Sequence, residues 1–192
     1  MDVLTPSLEA RGLTRRFGSF VALDHLNLNV TGAKCVGFLG PNGAGKTTTL
    51  KMFTNMIFPS EGEALINGIS VQTDRKSALS VCGDLIETPE IYPSLTPREA
   101  LELSGSLRGM PASEIRTRTD DVLAKVKMTE WADAKVGRFS KGMKQRVNVA
   151  ATLLSDPEVL LLVETGARLV QQQDLGIGEQ RRRDVDALLH PL

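Results

Sequence analysis

The chain has 192 residues, of which 41% are hydrophobic and 24% charged, a composition typical of a globular domain rather than of a disordered segment. Its 23 basic and 23 acidic residues balance, which argues against wrapping of nucleic acid and requires any phosphate ligand to be held by a local site. Two cysteines cannot build a disulfide framework, and no apolar run approaches the ~20 residues that span a bilayer. We therefore expect a domain that does not cross a membrane by itself.

The first third of the chain is predicted to be mainly strand. Residues 26–30 alternate between apolar residues and asparagine, which is the period of a half-buried strand. Residues 35–39 form a short apolar run bounded by glycines, a pattern typical of a strand buried on both faces. A further strand is predicted at residues 64–66, followed by an Asn67-Gly68 turn.

Helical patterns account for most of the remaining chain. A first helix is predicted from Lys46 to the Phe58-Pro59-Ser60 segment. Residues 73–137 contain helical segments that are separated by prolines. One of these helices is predicted to have Thr96 as its N-cap, a proline at its first position and an acidic residue at its third. Residues 140–154 form another helix with one apolar face.

A second fully buried strand is predicted at residues 159–163. Because this strand and residues 35–39 are both apolar throughout, we expect the two to be adjacent and parallel in one sheet. These elements together predict an α/β core with an inserted helical lobe at about residues 85–155.

Residues 40–48 read G-P-N-G-A-G-K-T-T and fit the phosphate-binding pattern G-x-x-x-x-G-K-[ST] at every fixed position. An apolar run precedes the loop and an amphipathic helix follows it, which is the context that the pattern requires. Glycines let backbone N–H groups converge on phosphates, and the helix N-terminus favours an anion. The side chain of Lys46 can reach the β- and γ-phosphates, and the Thr47 hydroxyl can bind Mg²⁺. The predicted nucleotide-binding residues are Gly40, Pro41, Asn42, Gly43, Ala44, Gly45, Lys46, Thr47 and Thr48.

A second motif, F-S-K-G-M-K-Q-R at residues 139–146, makes this prediction more specific. With both motifs, the sequence resembles the ATP-binding cassette (ABC) transporter ATPases over roughly residues 8–164. Ser140 and Gly142 match the second phosphate-binding signature of that family, usually written L-S-G-G-Q, and Ser140 can also cap the helix that follows. The resemblance implies a P-loop NTPase cassette with a mixed core sheet, a small antiparallel β-lobe and an inserted helical lobe.

The resemblance also implies roles for single residues outside the two motifs. Phe17 matches the aromatic residue that stacks on adenine, and Lys46 and Glu164 match the catalytic lysine and glutamate. Glu87 lies where most members carry the glutamine of the Q-loop, which senses the γ-phosphate and the metal and contacts the membrane subunits. The metal ligands implied are therefore Thr47 and Glu87. The L-I-E-T-P pattern around Glu87 is similar to that of bacitracin- and lantibiotic-type export cassettes.

The sequence departs from the family pattern near its end. Val163 lies where the family has the Walker B aspartate, and Thr165-Gly166 replaces a Pro-Thr pair. No strand with a following switch histidine is recognised, and His190 is interpreted as an ordinary surface residue. Residues 165–192 are predicted to be a divergent or incomplete tail. The abrupt change after Leu162 is either natural or the result of a reading-frame error.

The leading hypothesis is the ATP-binding subunit of an ABC transporter, with domain bounds of 1–164, that couples ATP binding and hydrolysis to export of a drug or antimicrobial peptide. The resemblance implies ATP and Mg²⁺ as cofactors, a separate membrane-spanning permease and a second cassette as partners, and a peripheral location on the cytoplasmic face of the membrane. No nucleic acid is expected. The alternative is a hydrolysis-deficient or truncated nucleotide-binding cassette. A two-cassette translation factor or a DNA-repair ATPase is a weaker third hypothesis, because neither a second cassette nor a long coiled coil is seen.

Overall fold

An antiparallel sheet of four strands forms a small β-lobe near the N-terminus. The computed structural model describes residues 5–32, 36–86 and 90–163. The strands are β1 (Leu8–Phe17), β2 (Phe20–Val30), β3 (Glu61–Ile66) and β4 (Ile69–Ser70), in the spatial order β2-β1-β3-β4. The strand predicted at residues 26–30 is the end of β2, where the apolar side chains are half-buried and the asparagines are exposed. That prediction is confirmed.

The turn between β3 and β4 consists of Asn67 and Gly68, because Ile66 pairs directly with Ile69. The φ angles of the two turn residues are 49° and 77°. A two-residue hairpin that follows the twist of its strands needs positive φ at both positions, and asparagine and glycine accept that conformation best. The predicted strand and turn at residues 64–68 are confirmed.

Helix α1 (Lys46–Phe53) is shorter than the sequence predicted. Asn55 adopts a left-handed conformation with φ of 56°, and its N–H donates to the Met52 carbonyl. The N–H of Met56 then donates to the Lys51 carbonyl at 2.9 Å, which completes a Schellman motif. The helical spacing continues in sequence to Ile57, but the asparagine ends the helix because it tolerates the left-handed C′ position.

The second sheet is a parallel pair formed by β5 (Cys82–Leu85) and β6 (Val159–Leu162). Helix α2 (Arg75–Ser80) precedes β5. The strand predicted at residues 159–163 is present as Val159–Leu162, but buried and half-buried residues alternate along it, so the predicted burial on both faces is only partial. Burial raises the pKa of the Cys82 thiol to about 12, which keeps that thiol neutral inside the apolar core.

The prediction that β6 pairs with residues 35–39 is wrong. Among the described residues, 36–39 form no strand, and β6 pairs with β5 instead. Val36 and Leu39 are 52% and 88% exposed, so the expected burial on both faces is also absent there. Cys35, the first residue of that predicted strand, lies outside the described residues. An apolar run indicates a preference for burial, but it does not identify the strand that supplies its hydrogen bonds.

Three helices make up the helical lobe: α3 (Pro97–Leu107), α4 (Ala112–Lys125) and α5 (Lys141–Leu153). Short 3₁₀ turns at Thr129–Trp131 and Val136–Arg138 connect α4 to α5. Their shared core includes Leu101, Leu123 and Leu154, all fully buried. No helix within the described ranges has the length and apolar character that a membrane crossing requires.

The capping box predicted at Thr96 is confirmed. The Thr96 hydroxyl accepts from Glu99 N at 3.2 Å, and the Glu99 carboxylate accepts from Thr96 N at 2.7 Å. These bonds, together with the nearby Lys135 ammonium, lower the pKa of Glu99. The start of α3 is thus determined by local sequence.

Candidate nucleotide-binding site

The phosphate-binding loop is tied to the β-lobe through Gly45, the N-cap residue of α1. Gly45 has φ of 82°, and a Cβ built on it would lie 2.6 Å from the Ala22 carbonyl oxygen and 3.2 Å from Leu23 Cδ1. A side chain at this position would therefore collide with backbone of β2, which cannot easily move. Glycine is required here both by the left-handed conformation and by the close approach of β2.

The Lys46 ammonium is folded back onto the loop. Its Nζ donates to the carbonyl oxygens of Gly40 and Pro41, at 2.7 and 2.8 Å. No acidic side chain occupies the first turn of α1, so no carboxylate competes for the positive end of this helix. A cation and a helix N-terminus are together suited to an anion such as a phosphate.

Two threonines near the start of α1 have different surroundings. Thr47 is exposed, so its hydroxyl is accessible to a ligand. Thr49 is buried and donates its hydroxyl hydrogen to the Gly45 carbonyl at 2.9 Å, which holds the first turn of the helix against the loop. Thr49 was not predicted as a site residue, because the phosphate-binding pattern contains no signal for it.

The predicted adenine platform, Phe17, lies at the tip of the β1–β2 hairpin. It pairs with Phe20, and the two residues are 46% and 63% exposed. Ala22, which closely approaches Gly45, is only two residues beyond Phe20 on β2. The hairpin therefore joins the exposed aromatic residues to the strand that supports the phosphate-binding loop. The guanidinium of Arg15, which sequence reasoning did not single out, lies 4.4 Å from the centroid of the Phe17 ring.

The signature motif lies in the other half of the fold. Ser140 is the N-cap of α5, and its hydroxyl accepts from Met143 N at 3.3 Å, as its capping role predicts. Ser140 and Gly142 are exposed, and a Cβ at Gly142 would have nothing within 4 Å. Helix α5 packs against α3, α4 and β5, whereas α1 packs against β2 and β3. The two predicted phosphate-binding motifs thus lie on helices that pack against different elements of the chain.

Of the residues that match the acidic positions and the Q-loop of the family, the structure describes Val163 but not Glu87 or Glu164. Val163 is half-buried, and its N–H donates to the Leu85 carbonyl at 3.0 Å, which extends the β5–β6 ladder. Its side chain offers no oxygen to a metal. Glu87, Glu164 and the tail from residue 165, including His190, lie outside the described residues. Burial raises the pKa of the Asp84 carboxyl on β5, and the nearby Arg108 guanidinium opposes that shift.

The described residues fit a nucleotide phosphate better than they fit a bare metal ion. Within them, no group of three or more histidine, cysteine, aspartate or glutamate side chains could hold a metal. Of the two predicted metal ligands, the Thr47 hydroxyl is the one they include. Mg²⁺ is usually bound through one or two carboxylates together with substrate phosphates and water, so the Thr47 hydroxyl would be only one ligand of such an ion.

Gly45→Ala should destabilise the fold and disrupt the loop. The left-handed conformation and the collision with the Ala22 carbonyl together should cost about 2–5 kcal/mol in the free energy of unfolding. Gly109→Ala is the matched control, because Gly109 is also left-handed but a Cβ there would have nothing within 4 Å. It should cost only about 1–2 kcal/mol. Urea unfolding measures both, and equal costs would contradict the role of the β2 contact.

Comparison with known proteins agrees with this geometry. Residues 23–166 match the model of the ABC transporter family. The bacitracin transport ATP-binding protein BcrA of Bacillus licheniformis is 38% identical over 185 residues, covering 96% of this chain and 57% of that protein. The Nod factor export ATP-binding protein I of Ralstonia nicotianae is 36% identical over 178 residues, covering 93% and 56%.

A solved ATP-binding subunit of an ABC transporter has the same fold, with a TM-score of 0.72 and 28% identity over 81% of this chain and 65% of that one. The chain therefore belongs to the ABC transporter family and has the P-loop NTPase cassette fold that the sequence predicted. It spans a little more than half the length of the two curated relatives.

Proposed function

We propose that this chain is the ATP-binding subunit of an ABC exporter, with its ATP-binding domain at residues 1–164. One observation carries the proposal: the Lys46 ammonium lies on the carbonyls of a glycine-rich loop, at the N-terminus of α1. This arrangement keeps a cation and a helix N-terminus next to each other, which suits the phosphates of a nucleotide. The relatives named for bacitracin transport and Nod factor export support an export role, and the Glu87 pattern favours a drug or antimicrobial peptide as cargo.

Nucleotide binding exchanges the partners of Lys46. Its ammonium leaves two neutral carbonyl acceptors for charged phosphate oxygens, and hydrogen bonds between charged groups are the stronger kind. The backbone N–H groups in the first turn of α1 supply further donors at the positive end of that helix. Thr47 offers its hydroxyl to the Mg²⁺ ion that accompanies ATP, which would help to neutralise the phosphate charge.

Phe17→Ala should weaken ATP binding by about 1–3 kcal/mol, because the base loses its stacking surface. GTP should be weakened to a similar extent, since stacking hardly reads base identity. Tyr92→Ala is the control, because Tyr92 is an exposed aromatic residue on the helical lobe. Calorimetric titration measures each affinity. An unchanged ATP affinity in Phe17→Ala would exclude this ring as the platform.

We propose that two cassettes enclose the nucleotide. Ser140 is exposed at the start of α5, and this helix packs against different elements from α1. A second cassette arranged head to tail would bring its Ser140 and the N-terminus of its α5 to the phosphates bound by the first. The location follows from such a complex: the pair lies peripherally on the cytoplasmic face, beside its membrane subunits.

The membrane permease is proposed to dock in an apolar groove beside α3. The groove is lined mainly by apolar residues from the segment before α3 and from α3 and α5, among them Ile91, Tyr92, Leu95, Leu103, Leu107 and Val147. Tyr92 and Leu107 are 67% and 80% exposed, which is unusual for large apolar side chains gathered in one groove. The groove begins a few residues after Glu87, where the family resemblance places the loop that contacts membrane subunits.

Leu107→Asp should abolish co-purification with a permease encoded beside this chain, because an unpaired charge would enter an apolar contact. ATP binding should be unaffected. Ser106→Asp is the matched control, since it adds the same charge at the adjacent exposed position on α3 that does not line the groove. If both variants retain the permease equally, the groove is not the docking site.

A hydrolysis-deficient cassette is the second candidate function. Val163 favours it, because the valine stands at the Walker B position and its backbone continues the β5–β6 ladder. Such a protein would bind ATP and close with a partner cassette while leaving turnover to that partner.

A further inference from the structure

Arg15 packs against one face of the Phe17 ring. The two residues are separated by one position near the end of β1, where the pairing with β2 shifts register. The guanidinium carbon of Arg15 is 4.4 Å from the ring centroid, well within the range of a cation–π interaction. Phe17 as a whole residue is still 46% exposed, so Arg15 does not cover it completely.

Arg15 is itself anchored to the segment that follows α1. Its Nη1 donates to the Phe58 carbonyl at 2.8 Å. The backbone alongside is joined by two further bonds, from Ser60 N to the Thr14 carbonyl at 2.8 Å and from Arg16 N to Ser60 Oγ at 3.0 Å. The guanidinium therefore connects the exposed Phe17 side chain to the segment that follows α1.

Half-burial of Arg15 has a cost that its hydrogen bonds do not offset completely. Its Nε is buried and finds no hydrogen-bond partner within the described part of the chain. A buried donor without a partner is unfavourable. The neighbouring Arg16 differs, since its guanidinium is exposed and lies near Glu61 and Asp24, at 3.4 and 3.9 Å. Of the two adjacent arginines, Arg15 is the one that contacts the ring.

We propose that Arg15 is a positioning residue for the nucleotide base. It covers one face of Phe17 and holds the ring in place, so that the base stacks on the opposite face. This proposal rests on the proposed function, in which Phe17 stacks on adenine. A ring that is already immobilised loses less conformational freedom on binding, and its affinity for the base is correspondingly higher.

The test compares ATP with inorganic tripolyphosphate, which has the phosphates but no base. Calorimetric titration of the whole chain with each ligand should show that Arg15→Gln weakens ATP about three- to tenfold and leaves tripolyphosphate binding unchanged. Arg15→Lys, which keeps a cation, should recover part of the ATP affinity. Arg16→Gln is the matched control and should bind both ligands as the parent does. In a Phe17→Ala background, Arg15→Gln should have no further effect.

Three results would overturn the proposal. An unchanged ATP affinity in Arg15→Gln, with Phe17→Ala still weakened, would overturn it and leave base stacking by Phe17 intact. Equal losses of ATP and tripolyphosphate would show that Arg15 acts on the phosphate-binding loop or on folding. An unchanged ATP affinity in Phe17→Ala would overturn both the stacking role of Phe17 and the proposal for Arg15. The phosphate site is tested separately, because a loss of tripolyphosphate binding in Lys46→Ala would still support it.

Discussion

Lys46→Ala should weaken ATP binding by about 1.5–3 kcal/mol, the range measured for hydrogen bonds to charged groups. The ammonium lies on the Gly40 and Pro41 carbonyls, and we expect it to pass from them to the phosphates. Without it, the phosphates keep the backbone N–H groups and the helix N-terminus but lose the cation at the loop. The loss should be larger for ATP than for AMP, because Lys46 is expected to reach the β- and γ-phosphates.

Calorimetric titration with ATP measures this effect directly. Lys76→Ala is the control, because Lys76 is an exposed lysine on α2 outside the loop. A second measurement is thermal unfolding, in which ATP should stabilise the parent chain and the control by mass action but stabilise Lys46→Ala much less. Equal ATP affinities for the parent and Lys46→Ala would refute the phosphate site.

Val163→Asp should raise the rate of ATP hydrolysis, since the parent chain is expected to hydrolyse Mg-ATP poorly. Mg²⁺ prefers hard oxygen ligands, and valine at this position supplies none. Weak placement of the metal should reduce neutralisation of charge in the transition state more than it reduces binding of ATP. Loss of one such electrostatic contact typically costs ~10²–10³ in rate.

The substitution should leave the backbone ladder in place, because Val163 contributes its N–H to the Leu85 carbonyl whatever its side chain. Val163→Asn is the matched control: it has nearly the same shape as aspartate but no charge, so it should recover much less activity. Glu164, next in the sequence, remains the candidate to orient the attacking water. Sedimentation with Mg-ATP should accompany the assay, because recovery requires that the cassettes still pair.

Steady-state ATPase activity at saturating Mg-ATP decides between the two candidate functions. Turnover near the ~10 s⁻¹ typical of enzymes, abolished by Lys46→Ala, would show that valine is tolerated and that the parent is an active ATPase. Turnover that is undetectable in the parent and restored by Val163→Asp would support a cassette impaired at this position.

Local patterns predicted much of the fold because their physical causes lie within a few residues. The Asn67-Gly68 turn follows from the positive φ angles that these residues accept, and the start of α3 follows from reciprocal hydrogen bonds between Thr96 and Glu99. The phosphate-binding loop was predicted from an equally local pattern, because the glycines and the lysine of that pattern are needed wherever backbone must approach a phosphate. The roles of Phe17, Ser140, Glu87 and Glu164 came from family resemblance and stay predictions.

The tertiary structure alone decided the features that depend on distant partners. The sequence predicted an apolar strand at residues 159–163 paired with residues 35–39, but the strand that forms, Val159–Leu162, takes its hydrogen bonds from β5. The need for glycine at position 45 comes partly from the Ala22 carbonyl, 23 positions earlier in the chain, and Arg15 is held by the Phe58 carbonyl. Apolar periodicity encodes burial, whereas these contacts arise from how separate elements pack, which no single segment specifies.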